Sequence, residues 1–279
     1  MSMGNFERKK IKGAFVVIKE IALNSSVGWS FVWPAILANA LRSIIDATVF
    51  ILIAITVYSN SGFTWSGISF PEYVLAGLFA GLMLSSSLTI PTGSLNFAYG
   101  MGELDVYLSL PYGVYPHVIG SLFYSYLVDI IYMITYLTIG CCLLGCWPNP
   151  LNVLYAFLII VLGSLAVLGI GLLSSISYLR IHVKNPEPLT WIINLLVNLL
   201  TGYYFPISLL PRQLRFLSNL FPHTYVFKLV RFTLYGKGIP IGDLVTLAIM
   251  TVIILPIGIL TYVKVIEHCE KKGVFLKWS

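Results

Sequence analysis

Three ionisable side chains stand inside otherwise apolar stretches of this sequence. Arg42 and Asp46 are four residues apart, so on a helix they share a face and can pair. Asp129 interrupts another apolar stretch. A charge in hydrocarbon is costly, so such residues point to a hydrated pathway or gate, and a buried pair that fixes helix packing satisfies the same pattern. A short acidic segment, Gly102 to Pro111 (GELDVYLSLP), is a different kind of feature. It sets Leu104, Tyr107 and Leu108 along one face of a short helix, with Glu103 and Asp105 beside them. An apolar face flanked by carboxylates suits insertion into the groove of a partner; an ordinary interfacial turn is the plainer alternative.

Residues arranged for bond-making chemistry are missing. Phosphate cradling by a G-x-x-x-x-G-K-[ST] loop is excluded, because Gly236-Lys237 is followed by Gly238. Neither H-E-x-x-H nor G-x-S-x-G occurs. His117, His182, His223 and His268 are scattered over different loops and ends and read as interfacial side chains rather than ligands. Cys141, Cys142 and Cys146 close one apolar stretch and Cys269 lies near the C-terminus, without the paired spacing of a zinc site. They read as small apolar residues, with a disulfide open to Cys146 if its side of the membrane is oxidising. Neither an enzyme nor a metalloprotein is expected, and no cofactor is expected in this chain.

Composition says what must position these residues. Of 279 residues, 58% are hydrophobic and 10% charged, with mean hydropathy +0.88. Soluble domains carry about 25% charged residues, and so few charges cannot cover the surface of a water-soluble molecule this size. The net charge of +6 lacks any basic stretch with interleaved aromatics, so lysine and arginine are assigned to helix ends and no nucleic acid partner is expected. A helix needs about 20 apolar residues to cross a bilayer. Such runs cover residues 31–58, 71–96, 117–145, 151–177, a short 189–203, and 242–264. They are continuously apolar, unlike the alternating strands of a barrel, and a helix satisfies its own backbone in lipid.

The expected fold is an all-α integral membrane protein, one transmembrane domain over residues 1–279 with six transmembrane helices. An interfacial amphipathic helix over 5–24 precedes them, its stripe of Ile11, Phe15, Ile18 and Ala22 set off from Lys9, Lys12 and Lys19. With those cations and no apolar leader ahead of it, the first span is expected to serve as its own insertion signal. Lysine and arginine crowd the N-terminal stretch, the loop with Arg180 and Lys184, and the C-terminal end; 59–70 and 146–150 have none. That asymmetry places both termini in the cytoplasm and makes 100–111 cytoplasmic. Residues 204–240 break the rule with Arg212, Arg215, Lys228, Arg231 and Lys237, and are read as an outer re-entrant stretch whose cations meet lipid phosphates.

The motifs in order carry a resemblance. GELDVYLSLP is similar to the G-[TS]-L-E-x-L-L-x-x-P segment of type-2 ABC exporter permeases. Thr201 to Pro211 (TGYYFPISLLP), then Phe221-Pro222, Thr224-Tyr225 and Arg231, resembles that family's S-G-x-x-F-P-x-x-x-L-P segment, its N-P-x-T-Y and its later arginine. Asn185-Pro186 also fits. Glu103, Asp105 and Phe221 depart from the usual small residue, glutamate and asparagine.

The resemblance implies a permease subunit in the plasma membrane that pairs with a second permease subunit, as homodimer or heterodimer. Two ATP-binding cassette ATPase subunits would bind beneath, supplying the ATP and magnesium. Glu103, Leu104, Asp105, Tyr107 and Leu108 would form the contact that couples to the ATPase, and residues 5–24 the connecting helix. The first, second and fifth spans would line the path, with Tyr203, Tyr204 and Phe205 at its outer gate and Arg42, Asp46 and Asp129 as candidate pathway residues. The cargo is expected to be amphiphilic, drug-like or lipid-linked. The alternative is an ion-coupled secondary transporter or channel acting without an ATPase, for which Arg42, Asp46 and Asp129 are the supporting features.

Overall fold

Apolar sequence in lipid leaves the backbone few ways to satisfy its amides, and this chain uses helices. The computed structural model describes residues 29–109, 113–181 and 188–271. The order is α1 (Trp29–Ser61), a hairpin of β1 (Thr64–Trp65) and β2 (Ile68–Ser69), α2 (Phe70–Gly100), α3 (Leu104–Ser109), α4 (Tyr115–Leu144), α5 (Pro150–Ile181) and α6 (Pro188–Leu200). After these come a 3-10 turn (Ile207–Leu209), α7 (Arg212–Ser218), α8 (Pro222–Leu234) and α9 (Ile241–Lys271). Proline opens α5, α6 and α8, where its missing N–H has no intrahelical partner to lose. The hairpin turns through Ser66 and Gly67, both at positive φ, as a two-residue turn between twisted strands requires.

Among the described residues, five helices are long and apolar enough to cross a membrane: Ser43–Ser61, Phe70–Ala98, Tyr115–Leu144, Pro150–Ile176 and Ile241–His268. The sixth expected run is shorter than the sequence suggests. Helix α6 has 13 residues, roughly 20 Å of rise against a hydrocarbon core of about 30 Å. It stops at Leu200 because Gly202 takes φ 79°, outside the helical region. It runs antiparallel beside α2, with the Thr190 and Thr92 hydroxyls 3.3 Å apart near one end and Tyr73 donating to the Gly202 carbonyl at 2.8 Å near the other. The expected amphipathic helix over 5–24 lies outside the described residues.

Helices α2 and α5 form the centre. α2 packs on α1, α4, α5, α6 and α8, and α5 packs on α6, α8 and α9. The main core joins Phe79, Ala80 and Met83 of α2 to Ile159 and Ile160 of α5 and to Val226, Phe227 and Val230 of α8. A second core at the opposite end gathers Leu95, Leu104, Val118, Leu172, Tyr262 and Ile266. Peripheral α1 and α9 expose large apolar side chains, including Leu52, Ile53 and Val57 on α1 and Val252, Ile253 and Leu260 on α9.

In the stretch 204–240 several cations are held by partners within the chain. Arg231 is buried, 2% exposed. Lys228 pairs with Asp243 at 2.7 Å, and Arg215 caps the carbonyls of Leu210 and Ser208. Three of the five cations therefore also have partners within the chain. The cause is α8: its apolar residues fill the groove between α2 and α5, which carries Arg231 into the bundle. Cys141, Cys142 and Cys146 form no disulfide, and the Cys146 thiol faces the Glu72 carboxylate at 3.7 Å.

Candidate coupling end and gate

At one end of the bundle, α2 closes with a glycine. Gly102 sits at φ 70°, and the Glu103 N–H reaches back to the Ala98 carbonyl at 2.9 Å. This six-to-one closure needs a left-handed residue, which is why glycine stands there. It reverses the chain into α3. Leu104 then enters the second core, 4% exposed, and fixes α3 to the bundle. Tyr107, one turn on, lays its ring on His117 of α4 with centroids 4.6 Å apart and donates its hydroxyl to Glu103 at 3.0 Å. The His117 imidazole lies 3.1 Å from the Ser94 carbonyl of α2. Burial, and then the Glu103 carboxylate, push the Tyr107 phenol up to about 12, so it keeps its proton and remains the donor.

This corrects one expectation. Leu104 and Tyr107 do share a face, but that face turns into the chain's own core. The outward side carries Met101, Glu103 and Val106, with Met101 61% and Val106 59% exposed. Hydrophobic residues on both sides of a one-turn helix leave the direction open in sequence. The side chains of Asp105 and Leu108 lie outside the described ones.

At the other end, Tyr203 lies against α2 where that helix has no side chains. A Cβ on Gly77 would come within 2.5 Å of the Tyr203 carbonyl, and one on Gly81 within 2.3 Å of its ring. Small residues four apart let elements approach closely in membranes. Tyr203 then packs edge-on to Tyr204 at 4.3 Å and beside Phe227 at 5.3 Å, and Tyr204 stacks on Phe50 of α1 at 5.3 Å. The Arg231 guanidinium lies 3.4 Å above the centre of the Tyr73 ring and donates to the carbonyls of Tyr73 and Tyr203 at 3.1 and 2.9 Å. Asp46 stands on α1 one turn before Phe50; the Arg42 side chain lies outside the described ones. Phe205 is half-buried beside this cluster in sequence. Tyr73, Gly77, Gly81, Phe50 and Arg231 were not singled out for the gate from sequence, although the glycine pair was a readable signal.

Asp129 stands midway along α4, 6% exposed. Nearby, Ser86 of α2 accepts from Ser125 of α4, one turn before Asp129, at 3.0 Å. The neighbouring Ser87 and Tyr126 hydroxyls lie 2.8 Å apart. Asp129 Oδ2 has no hydrogen-bond partner among the described residues.

The sequence model of the ABC-2 type transporter family matches residues 56–235. The chain belongs to the ABC-2 type transporter family. The match takes in the coupling end, Asp129 and the Tyr203 cluster, and leaves out Arg42, Asp46 and α9. A comparison with curated proteins found no match. ABC-2 membership makes this chain a multi-pass membrane subunit of a transporter whose family associates with an ABC ATPase.

Proposed function

We propose that this ABC-2 chain is the permease half of an ATP-driven exporter in the plasma membrane, with both termini cytoplasmic. Two permease subunits and two ATPase subunits make the working complex, and an amphiphilic, drug-like or lipid-linked cargo leaves between the permeases. The sixth crossing is α6 completed by Thr201 and Gly202; its contacts with α2 at Thr92 and at Tyr73, roughly 28 Å apart along that helix, support this count.

The observation that carries the reading is that one helix holds both candidate sites. α2 ends in the Gly102 turn and the Ser94 carbonyl at the coupling end, and bears Gly77 and Gly81 under Tyr203 at the gate. Force on α3 reaches α2 directly through the Gly102 turn, and reaches α4 through Tyr107 and His117. A shift or rotation of α2 then moves the floor on which Tyr203 rests. ATP binding drives transport only because the ATPases bind one permease conformation better than the other. Tyr204→Ala removes the ring stacked on Phe50 and is expected to change export rate or cargo range in vesicles containing the complex. Unchanged export across several cargos would rule out the gate role.

Asp129 supports a second reading, an ion-coupled carrier, because one oxygen of a buried carboxylate lacks a partner. Proton-driven transport by the chain alone distinguishes it.

A further inference from the structure

A half-open cavity of about 220 Å³ lies at the gate end of the bundle, beneath the β1–β2 hairpin. Trp65, Tyr73 and Tyr225 form its aromatic walls, and Lys228, Arg231 and Asp243 supply its charges. Trp65 meets Tyr73 and Phe232 edge-on, each at 5.4 Å, which fixes the hairpin over the cavity.

Its charges do not balance. Arg231 is 2% exposed, and among the described residues no carboxylate pairs with it; the ion pair present joins Lys228 to Asp243 at 2.7 Å. Glu72, near in sequence to Tyr73, turns its carboxylate to Ser69 and Cys146 instead. One positive charge is left in excess on a cavity wall. The Arg231 Nε and Nη2 already donate to the Tyr73 and Tyr203 carbonyls, but dipoles do not cancel its net charge, and a charge held out of water favours an anionic neighbour. The hydroxyls of Thr201, Thr224 and Tyr225 already donate to backbone carbonyls. That leaves the two cations, the Asn219 amide, the Ser208 hydroxyl and the Trp65 indole N–H as side-chain donors on the lining. Asp243 opposes a dianion, so a singly charged group fits best.

Exposed apolar residues next in the chain to the lining point to the source of that anion. Leu209, Phe216 and Leu220 are 63%, 69% and 58% exposed, and they adjoin or lie close in sequence to the lining residues Ser208 and Asn219. A cavity with excess positive charge, flanked along the chain by exposed apolar side chains, matches a head group and its acyl chains. We propose that this cavity binds the phosphodiester of a membrane lipid, from the outer leaflet under the orientation given above.

Two substitutions test this without disturbing Arg231. Lys228→Gln and Asp243→Asn break the same ion pair but change the cavity charge in opposite senses. The purified chain in a neutral detergent is titrated with dihexanoyl phosphatidylglycerol, dihexanoylglycerol and inorganic phosphate, and binding is read by native mass spectrometry. The lipid phosphodiester is expected to bind best, about fivefold more weakly to Lys228→Gln and about fivefold more tightly to Asp243→Asn. Equal binding of dihexanoylglycerol, equal binding of inorganic phosphate, or a shift of both variants in one direction would overturn the proposal.

Discussion

Leu104 and Val106 are two residues apart on one short helix and face opposite ways, which makes α3 testable one side chain at a time. Leu104 is 4% exposed in the second core and Val106 is 59% exposed. Leu104→Asp places a carboxylate among Leu95, Val118 and Ile266, and should cost about 3 kcal/mol or more of stability; the folded yield in detergent measures it. Val106→Asp should leave that yield unchanged and weaken capture of the co-expressed ATPase. Equal loss of yield in both would refute the inward placement of Leu104. Tyr107 adds a finer test. Tyr107→Phe keeps the stacking on His117 and loses only the bond to Glu103, a change of about 1 kcal/mol. Tyr107→Ala removes the ring as well, so ATP hydrolysis should continue while cargo export falls about tenfold or more. Measured side by side in proteoliposomes, equal export by the two variants would remove the ring contact from the coupling route.

Helix α2 determines how much of the molecule could be read from sequence. Its apolar run was legible because lipid demands about 20 such residues and little else in a sequence supplies them. The same reasoning located α1, α4, α5 and α9. It carried this short span to Tyr203, three residues past the helix end at Leu200, because that residue is apolar enough to continue a span while Gly202 turns the chain out of it. It read 204–240, which contains α8, as a re-entrant stretch whose cations meet lipid phosphates. Placing Arg231 inside required the Tyr73 ring and two carbonyls, all distant in sequence or not a side chain. The Gly102 turn was part of a recognisable motif, whereas the inward face of α3 depended on packing from four other elements. The glycines of α2 give an element-scale prediction. Gly81→Ala sets a methyl 2.3 Å from the Tyr203 ring, while Gly93→Ala meets nothing within 4 Å. The first should lower thermal stability by about 1–3 kcal/mol and disturb export; the second should raise stability by up to about 1 kcal/mol. Similar melting shifts for the two would show that Tyr203 does not rest on α2.

For the molecule as a whole, the function proposed above makes the bundle a lever. α2 and α5 supply a packed centre, α8 fills the groove between them, and α1 and α9 expose apolar faces. The coupling end and the Tyr203 cluster occupy opposite ends of α2, and the ABC-2 match covers both. Nothing in the sequence supplies a phosphate-binding loop, so the energy for movement is assigned to an ATPase partner. Reconstitution tests that assignment most directly. Sealed vesicles are prepared with the chain alone, with the chain and its ATPase, and with the ATPase plus Val106→Asp, and uphill cargo movement is followed on adding magnesium ATP. Transport is expected only with chain and ATPase together, and to be strongly reduced in the Val106→Asp complex. Uphill movement by the chain alone, without nucleotide, would contradict the reading of this protein as an ATP-driven permease.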